Sequence, residues 1–350
     1  MYDKIDLYIT DTRIIEQVEK MMNSSYSFEQ IGNYWEYKYM LKNDKKHANA
    51  HGMMMQVTRK TRGDNIAPPT LHIWGSIRKW CKGALSVEDL TRCETYLALT
   101  RLAEELGIAY DIFRKLPVSA LEVALNLDLG ELHCEEVKSR IGYFKDGRYK
   151  CVDAQGYKSL RTGKFSAKVY DKVQEIRKTT TKMSDKHGVE RFERQHGRKQ
   201  ILRVELTAHG GPKAVEKYLG IKTIGDMVDR YHWVILKWLQ NVNKFGFKSA
   251  NILPFTPKKN SSKEFTDYLK CRGMLDIGDV ELQAIMARLP TQSRKDVRNA
   301  IKVLQGKMQD AQNTQQLFRR IAKRHFVQQF NKSYQQYREY PVGKSSPTLL

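Results

Sequence analysis

Residues 164–172 read Lys-Phe-Ser-Ala-Lys-Val-Tyr-Asp-Lys. Phe165, Ala167 and Val169 alternate with Ser166, Lys168, Tyr170 and Lys172. This is the period-2 pattern of a strand with one buried and one polar face. It predicts a strand that sets Tyr170 and Lys172 side by side on the polar face. A tyrosine hydroxyl titrates at about 10 and is a poor nucleophile alone. A neighbouring ammonium, metal or base makes it reactive. The same pattern also describes a surface tyrosine between solvated lysines.

Other segments share this alternation. Residues 4–10 set Ile5, Leu7 and Ile9 against Lys4, Asp6 and Tyr8. Residues 34–59 read as one or two strands around a polar turn at Asn43 to Ala50. In residues 70–77, Leu71, Ile73 and Ile77 oppose His72, Trp74 and Ser76. Residues 120–129 carry Leu121, Val123, Leu125, Leu127 and Leu129 on one face, with Glu122, Asn126 and Asp128 on the other. Residues 201–207 set Leu202, Val204 and Leu206 against Arg203, Glu205 and Thr207.

Between these strands, Ser86 suits the cap of a helix whose stripe runs from Leu90 to Leu106. A short helix is expected over residues 131–140, and an exposed polar excursion over 177–199. Beyond Gly210-Gly211-Pro212 the periodicity turns helical, and the tail from Pro341 is expected to be disordered. The connections are too irregular for repeating βαβ units. The expected class is therefore α+β, an antiparallel sheet with flanking helices, followed by an all-helical region. The expected division is 1–210 as a catalytic domain, 211–340 as a helical DNA-binding or accessory region, and 341–350 as a tail.

The 350 residues carry a formal net charge of +22, with 18 Tyr, 12 Phe and 5 Trp. Such an excess calls for a polyanion, nucleic acid before anionic membrane, and aromatic rings suit unpaired bases. The five cysteines form no C-x-x-C pair, which argues against a zinc finger or a disulfide framework and fits a reducing cytosol. There is no run of 18 apolar residues and no signal-peptide pattern, so the expected location is cytoplasmic, without membrane contact. The absence of G-x-x-x-x-G-K-[ST] argues against a P-loop ATPase.

If the strands share one sheet, their polar faces converge on His72, Glu122, Glu205 and Tyr170 with Lys172. One His and two carboxylates suit Mg²⁺ or Mn²⁺. A metal beside a tyrosine on a basic protein suits attack of a phenolate on a DNA phosphate. Taken separately, the His, the two Glu and the Tyr would also suit ordinary solvated strand faces.

At these residues the chain resembles the replication initiators of filamentous phages, the gene II protein (phage X) family, which are rolling-circle nicking proteins related to the HUH endonucleases. The resemblance rests on L-H-I-W-G-S-I-R-K-W-C-K-G (71–83), V-Y-D-K-V-Q-E-I (169–176), and I-L-R-V-E-L (201–206) followed by Lys217-Tyr218-Leu219-Gly220. The acidic strand at 120–129 adds Glu122. These pieces follow in order over residues 70–240, about half the chain. Where a full HUH motif has two histidines, this chain reads His72-Ile73-Trp74.

The resemblance implies an HUH/Rep-like fold and a bacteriophage or satellite replicon in a bacterial host. It implies Tyr170 as the nucleophile forming a 5′-phosphotyrosine intermediate, Lys172 as its helper, and a divalent metal, Mg²⁺ or Mn²⁺, held by His72, Glu122 and Glu205. The expected partners are origin DNA, double- and single-stranded, with host helicase and polymerase. DNA contacts are expected from Arg78 and Lys79, from a helix-turn-helix-like segment with Arg294, Lys295 and Arg298, and from the basic face of Arg319, Arg320, Lys323 and Arg324. A non-catalytic DNA-binding protein (a phage repressor or single-strand binder) would use the same charge without metal, and an RNA-binding protein would share it too.

Overall fold

The computed structural model describes residues 1–22, 29–31, 34–40, 53–62, 65–66, 68–144, 149–154, 156–180, 186–247, 299 and 314–335. The chain opens with β1 (Tyr2–Ile9), α1 (Thr12–Met22), β2 (Glu29–Ile31), β3 (Tyr34–Met40), β4 (Met53–Arg62) and the short β5 (Asn65–Ile66). It continues through β6 (Thr70–Ser76), α2 (Ile77–Lys82), α3 (Arg92–Glu105), α4 (Tyr110–Phe113), β7 (Ala120–Asp128), α5 (Cys134–Arg140) and β8 (Ile141–Phe144). Next come β9 (Lys150–Ala154), β10 (Tyr157–Arg161), β11 (Phe165–Asp171), α6 (Lys172–Thr180), α7 (Lys186–His196) and β12 (Ile201–Ala208). Then follow α8 (Pro212–Leu219), α9 (Ile224–Asp229), α10 (Tyr231–Val242) and β13 (Phe245–Phe247). A last helix covers residues 314–335.

The expected α+β class with an antiparallel sheet holds, but the region expected to be all-helical contains β13, which pairs with β8 in a separate two-stranded sheet. The strands lie in the order β2-β3-β4-β6-β1-β7-β12-β11-β10-β9, each antiparallel to its neighbours. The first strand of the chain is thus an interior one, between β6 and β7. One face is the core. Ile5, Leu7 and Ile9, Leu71 and Ile73, Leu121, Val123, Leu125 and Leu127, Phe165, Ala167 and Val169, and Leu202, Val204 and Leu206 are all buried. Each buried Leu, Ile or Val stabilises by about 1.5–3 kcal/mol. A one-residue slip of β7 would turn all of its apolar set away from the core, so the alternation pins the register.

Helices cover that face. α8 and α10 pack on β7 and β12, and the Trp238 indole donates to the Val204 carbonyl at 3.1 Å. Phe318, from the helix over 314–335, lies in the same core as the strands. The packing therefore runs across the expected boundary at residue 210. The expected tail at 341–350 and the expected turn at Asn43 to Ala50 lie outside the described residues.

Local chemistry moved several elements from their expected places. The helix expected from Ser86 starts at Arg92, because Thr91 and Glu94 close a reciprocal capping box. Ser86 instead accepts from the Glu88 backbone N–H at 3.1 Å. The expected strand through Ile77 stops at Ser76, whose hydroxyl accepts from the Lys79 N–H and starts α2. The expected polar excursion at 177–199 holds the end of α6 and all of α7. Phe192 of α7 packs with Val173, Ile176 and Ile201, a contact that the surrounding Lys, Arg and Glu conceal in the hydropathy pattern. Among the described residues, no helix is long and apolar enough to cross a membrane.

Candidate active site

The opposite face of the sheet is polar, and pairing sets its residues row by row. Lys168 of β11 lies opposite Glu205 of β12, and Tyr170 lies opposite Arg203. On the other side of β12, Thr207 faces Glu122 and Arg203 faces Asn126 of β7. Three adjacent strands therefore bring Glu122, Glu205 and Tyr170 together, the convergence expected if the strands shared one sheet.

The third carboxylate comes from β1. Tyr2 pairs with Val123 and Ile5 with Leu121, so three steps of β1 oppose two of β7. This bulge carries one extra residue. Tyr2 stays on the core side against Tyr231, while Asp3 and Lys4 both reach polar-face partners. Asp3, Glu122 and Glu205 offer carboxylate oxygens within 4.8 Å of one another, and all three are buried.

Arg203 binds this cluster together. Its Nε donates to Glu205 Oε1 at 2.9 Å, its Nη1 to Asn126 Oδ1 at 3.0 Å and to Asp89 Oδ1 at 3.4 Å, and its Nη2 to Asp3 Oδ2. Asp3 also accepts from the Ser76 hydroxyl and lies 3.6 Å from Arg78 Nε. Burial works to raise the Asp3 carboxyl, but Arg203, Arg78 and the Ser76 hydrogen bond outweigh it and hold Asp3 well below the usual carboxylate range. Glu122 is the opposite case. Burial, then the neighbouring Glu205 and Asp3, push it up to about 8, against the pull of Lys4 at 3.5 Å. Its Oε1 is buried without a hydrogen-bond partner.

These residues fit a hard divalent cation. The donors are all carboxylate oxygens, one buried oxygen lacks a partner, and Glu122 is charged only at a cost that a cation would remove. The buried triad has the reach to hold a metal ion.

Tyr170 is tied to the same centre. Its hydroxyl donates to Glu205 Oε1 at 2.5 Å. Burial raises the phenol well above its ordinary value and Glu205 adds to this, while Arg203 opposes. The expected helper Lys172 is displaced. β11 ends at Asp171, and Lys172 opens α6, where it is fully buried and donates to Glu175 Oε2 at 2.6 Å. Its ammonium is 5.9 Å from the Tyr170 ring centroid. Burial, with Arg203 and Arg78, lowers it to about 8. The cation that flanks Tyr170 on the strand is Lys168, two residues before it. Its Nζ lies 4.7 Å from the Tyr170 ring, 4.7 Å from the Tyr157 ring and 3.9 Å from Glu205 Oε2. These groups open onto a cavity of about 200 Å³ lined by Asp3, Lys79, Tyr157, Lys168, Tyr170 and Glu205, among others.

The expected ligand His72 is not in this cluster. It lies on β6 four residues before Ser76, which pairs with Lys4. At about 3.4 Å per residue, that is roughly 14 Å along the sheet from Lys4. Its Nε2 is 2.7 Å from Asp6 Oδ1, and its ring stacks between Tyr8 and Trp74. The place expected for His72 is taken by Asp3. A bulge is invisible to strict alternation, which put Asp3 outside the first strand.

Arg78, expected on DNA, is fully buried behind Asp3, with Nη1 donating to the Ser86 carbonyl at 2.8 Å. Lys79 lines the cavity and lies 3.6 Å from Glu175. On the helix over 314–335, Arg320 and Lys323 are exposed, whereas Arg319 donates to the Asn243 carbonyl at 3.1 Å and the exposed Arg324 to the Asp128 carbonyl at 3.3 Å. Arg294, Lys295 and Arg298 lie outside the described residues. Comparison with known protein families, curated proteins and solved structures finds no match to the chain.

Proposed function

We propose that this protein nicks and rejoins one DNA strand through Tyr170, as a rolling-circle replication initiator does. The observation that carries the reading is the 2.5 Å hydrogen bond from the Tyr170 hydroxyl to Glu205 inside the carboxylate cluster. A phenol alone is a poor nucleophile, but a bonded carboxylate can take its proton as attack begins. The tyrosine oxygen forms a bond to the scissile phosphorus, and the bond from phosphorus to the 3′ oxygen breaks. The 3′ oxygen leaves as a hydroxyl once protonated, and the 5′ phosphate stays on Tyr170. The reverse reaction rejoins the strand. Lys168, with its side chain 37% exposed, brings positive charge to the phosphate. Asp3, Glu122 and Glu205 would hold Mg²⁺ or Mn²⁺, which when bound supplies Lewis-acid polarisation of the phosphate. Arg203 and Ser76 keep Asp3 in place for that role.

In this reading the partner is a replication origin, and the freed 3′-OH serves a host polymerase behind a host helicase in the cytoplasm of a bacterium. The net charge of +22 and the exposed Arg320 and Lys323 support binding to the DNA backbone. One observation favours the non-catalytic alternative: Tyr170 is only 6% exposed.

The test is incubation with a supercoiled plasmid bearing the replicon origin and Mn²⁺ or Mg²⁺, read on a denaturing gel. A protein–DNA adduct is expected that disappears with chelation and in Tyr170→Phe, with origin binding retained within about two-fold. Tight binding with no nick and no adduct would establish the non-catalytic reading.

A further inference from the structure

The polar face does not end at the carboxylates. On β1 and β6 it continues as a stack of rings. Tyr8 lies 4.1 Å from His72 with 9° between the planes, and His72 lies 4.3 Å from Trp74 with 20° between them. Tyr8 is 52% exposed, and His72 and Trp74 are half-buried. Trp74 also lines a cavity of about 600 Å³ with Met54, Gly75, Ser76, Lys79, Lys4 and Glu122. Lys4 and Lys79 line the Tyr170 cavity too, so the two spaces share a cationic border. Gly75 has φ +145°, a conformation that glycine adopts readily, and presents backbone without a side chain to the cavity wall.

We propose that this cavity is a base pocket. It takes the heterocycle of one unpaired nucleotide, stacked on the Trp74 indole, with the adjoining phosphate between Lys4 and Lys79. The proposal rests on the nucleic-acid reading above. Three observations support a base over another occupant. The volume is larger than a phosphate needs. Its wall joins an aromatic ring to the apolar Met54, with the Asp6 carboxylate also on the lining. The cations sit only where it meets the Tyr170 cavity. Stacked rings bind bases without regard to sequence, because every base has a π face. In this arrangement His72 is the middle leaf of the stack. It holds the indole from behind, with its ring fixed by the 2.7 Å contact to Asp6.

The experiment is equilibrium binding of short single-stranded oligonucleotides to the full chain, without divalent metal, at two salt concentrations. Each oligonucleotide is compared with a set carrying one abasic site at successive positions. One abasic position is expected to weaken binding by roughly five-fold or more, in line with about 1–3 kcal/mol per stacked base. Trp74→Ala should cost the same factor on the intact strand, and the abasic position should cost nothing further in that variant. The salt slope should not change, since no phosphate contact is lost. An equal abasic penalty in wild type and Trp74→Ala would overturn the pocket while leaving nucleic-acid binding intact. No binding to any strand would overturn both this inference and the function on which it rests. Should Trp74→Ala fold poorly, Trp74→Leu fills the space without a ring and should likewise abolish the abasic penalty, whereas a penalty equal to that of wild type would overturn the pocket.

Discussion

The two ends of the sheet's polar face hold their polar groups in opposite ways. At the β1–β6 end, His72 and Asp6 are half-exposed, pair with each other and carry stacked rings. At the other end, where Asp3 at the start of β1 meets β7, β12 and β11, Asp3, Glu122, Arg203 and Glu205 are buried, and Arg203 donates directly to both Asp3 and Glu205. Buried charges are costly unless paired, and a well-packed apolar replacement is often as stable. The second end therefore carries charge that packing alone does not require. That is the pattern expected of a working centre, whereas the first end carries the stacked rings on which the proposed base pocket rests.

The sharpest way to break this contrast is Arg203→Met. It leaves Asp3 and Glu205 as buried carboxylates without their shared cation. A loss of about 3–5 kcal/mol in urea unfolding is expected, and a loss under 1 kcal/mol would show that the cluster is hydrated and loosely held.

Per unit of pH a smaller effect comes from Glu122, whose folded value of about 8 lies above the ordinary 4.5. The folded chain keeps a proton that the unfolded chain releases, so this group's stability contribution is complete below about 4.5 and is lost as pH rises toward 8. Without divalent metal, stability should fall by up to about 1.4 kcal/mol per pH unit across that window. Glu122→Gln should flatten the slope, and so should Mn²⁺ on the wild-type protein. A slope unchanged by Glu122→Gln would assign it elsewhere.

The smallest effect is expected at the other end. His72→Gln should leave Mn²⁺ affinity within about two-fold by calorimetry, because the ring lies outside the carboxylate cluster. A ten-fold or greater loss would return His72 to the metal site.

Much of this site was legible in the chain. Alternation alone put Glu122, Glu205 and Tyr170 on polar faces, because each strand has a buried apolar set that fixes its orientation. Strand order was not legible, since pairing across 200 residues leaves no local mark. Asp3 was missed for a different reason. Its side chain reaches the cleft only because the bulge breaks the period of two, and no residue there announces a bulge. Lys172 was misplaced because a strand and the helix following it share a residue boundary that alternation cannot see. Lys168 was readable: it stands two positions from Tyr170 on the same face, and a search for the tyrosine's cation on both sides would have found it. The buried Arg78 shows the limit of reading basic residues as surface charge, since only the fold reveals that it sits behind Asp3.

The interior position of β1 has a consequence for how the protein comes to life. Arg203 and Asp3, which hold the cluster together, are separated by 200 residues. The strand made first gains Ser76 and Arg78 beside its carboxylate with β6 and α2, but must wait for β12 to gain Arg203. Long-range pairing of this kind closes slowly, because loop entropy is spent before contacts return it. A chain still on the ribosome holds Tyr170 well before it holds a finished centre. The carboxylate cluster is thus assembled last, when the fold that brings β1 beside β7 and within reach of β12 is complete.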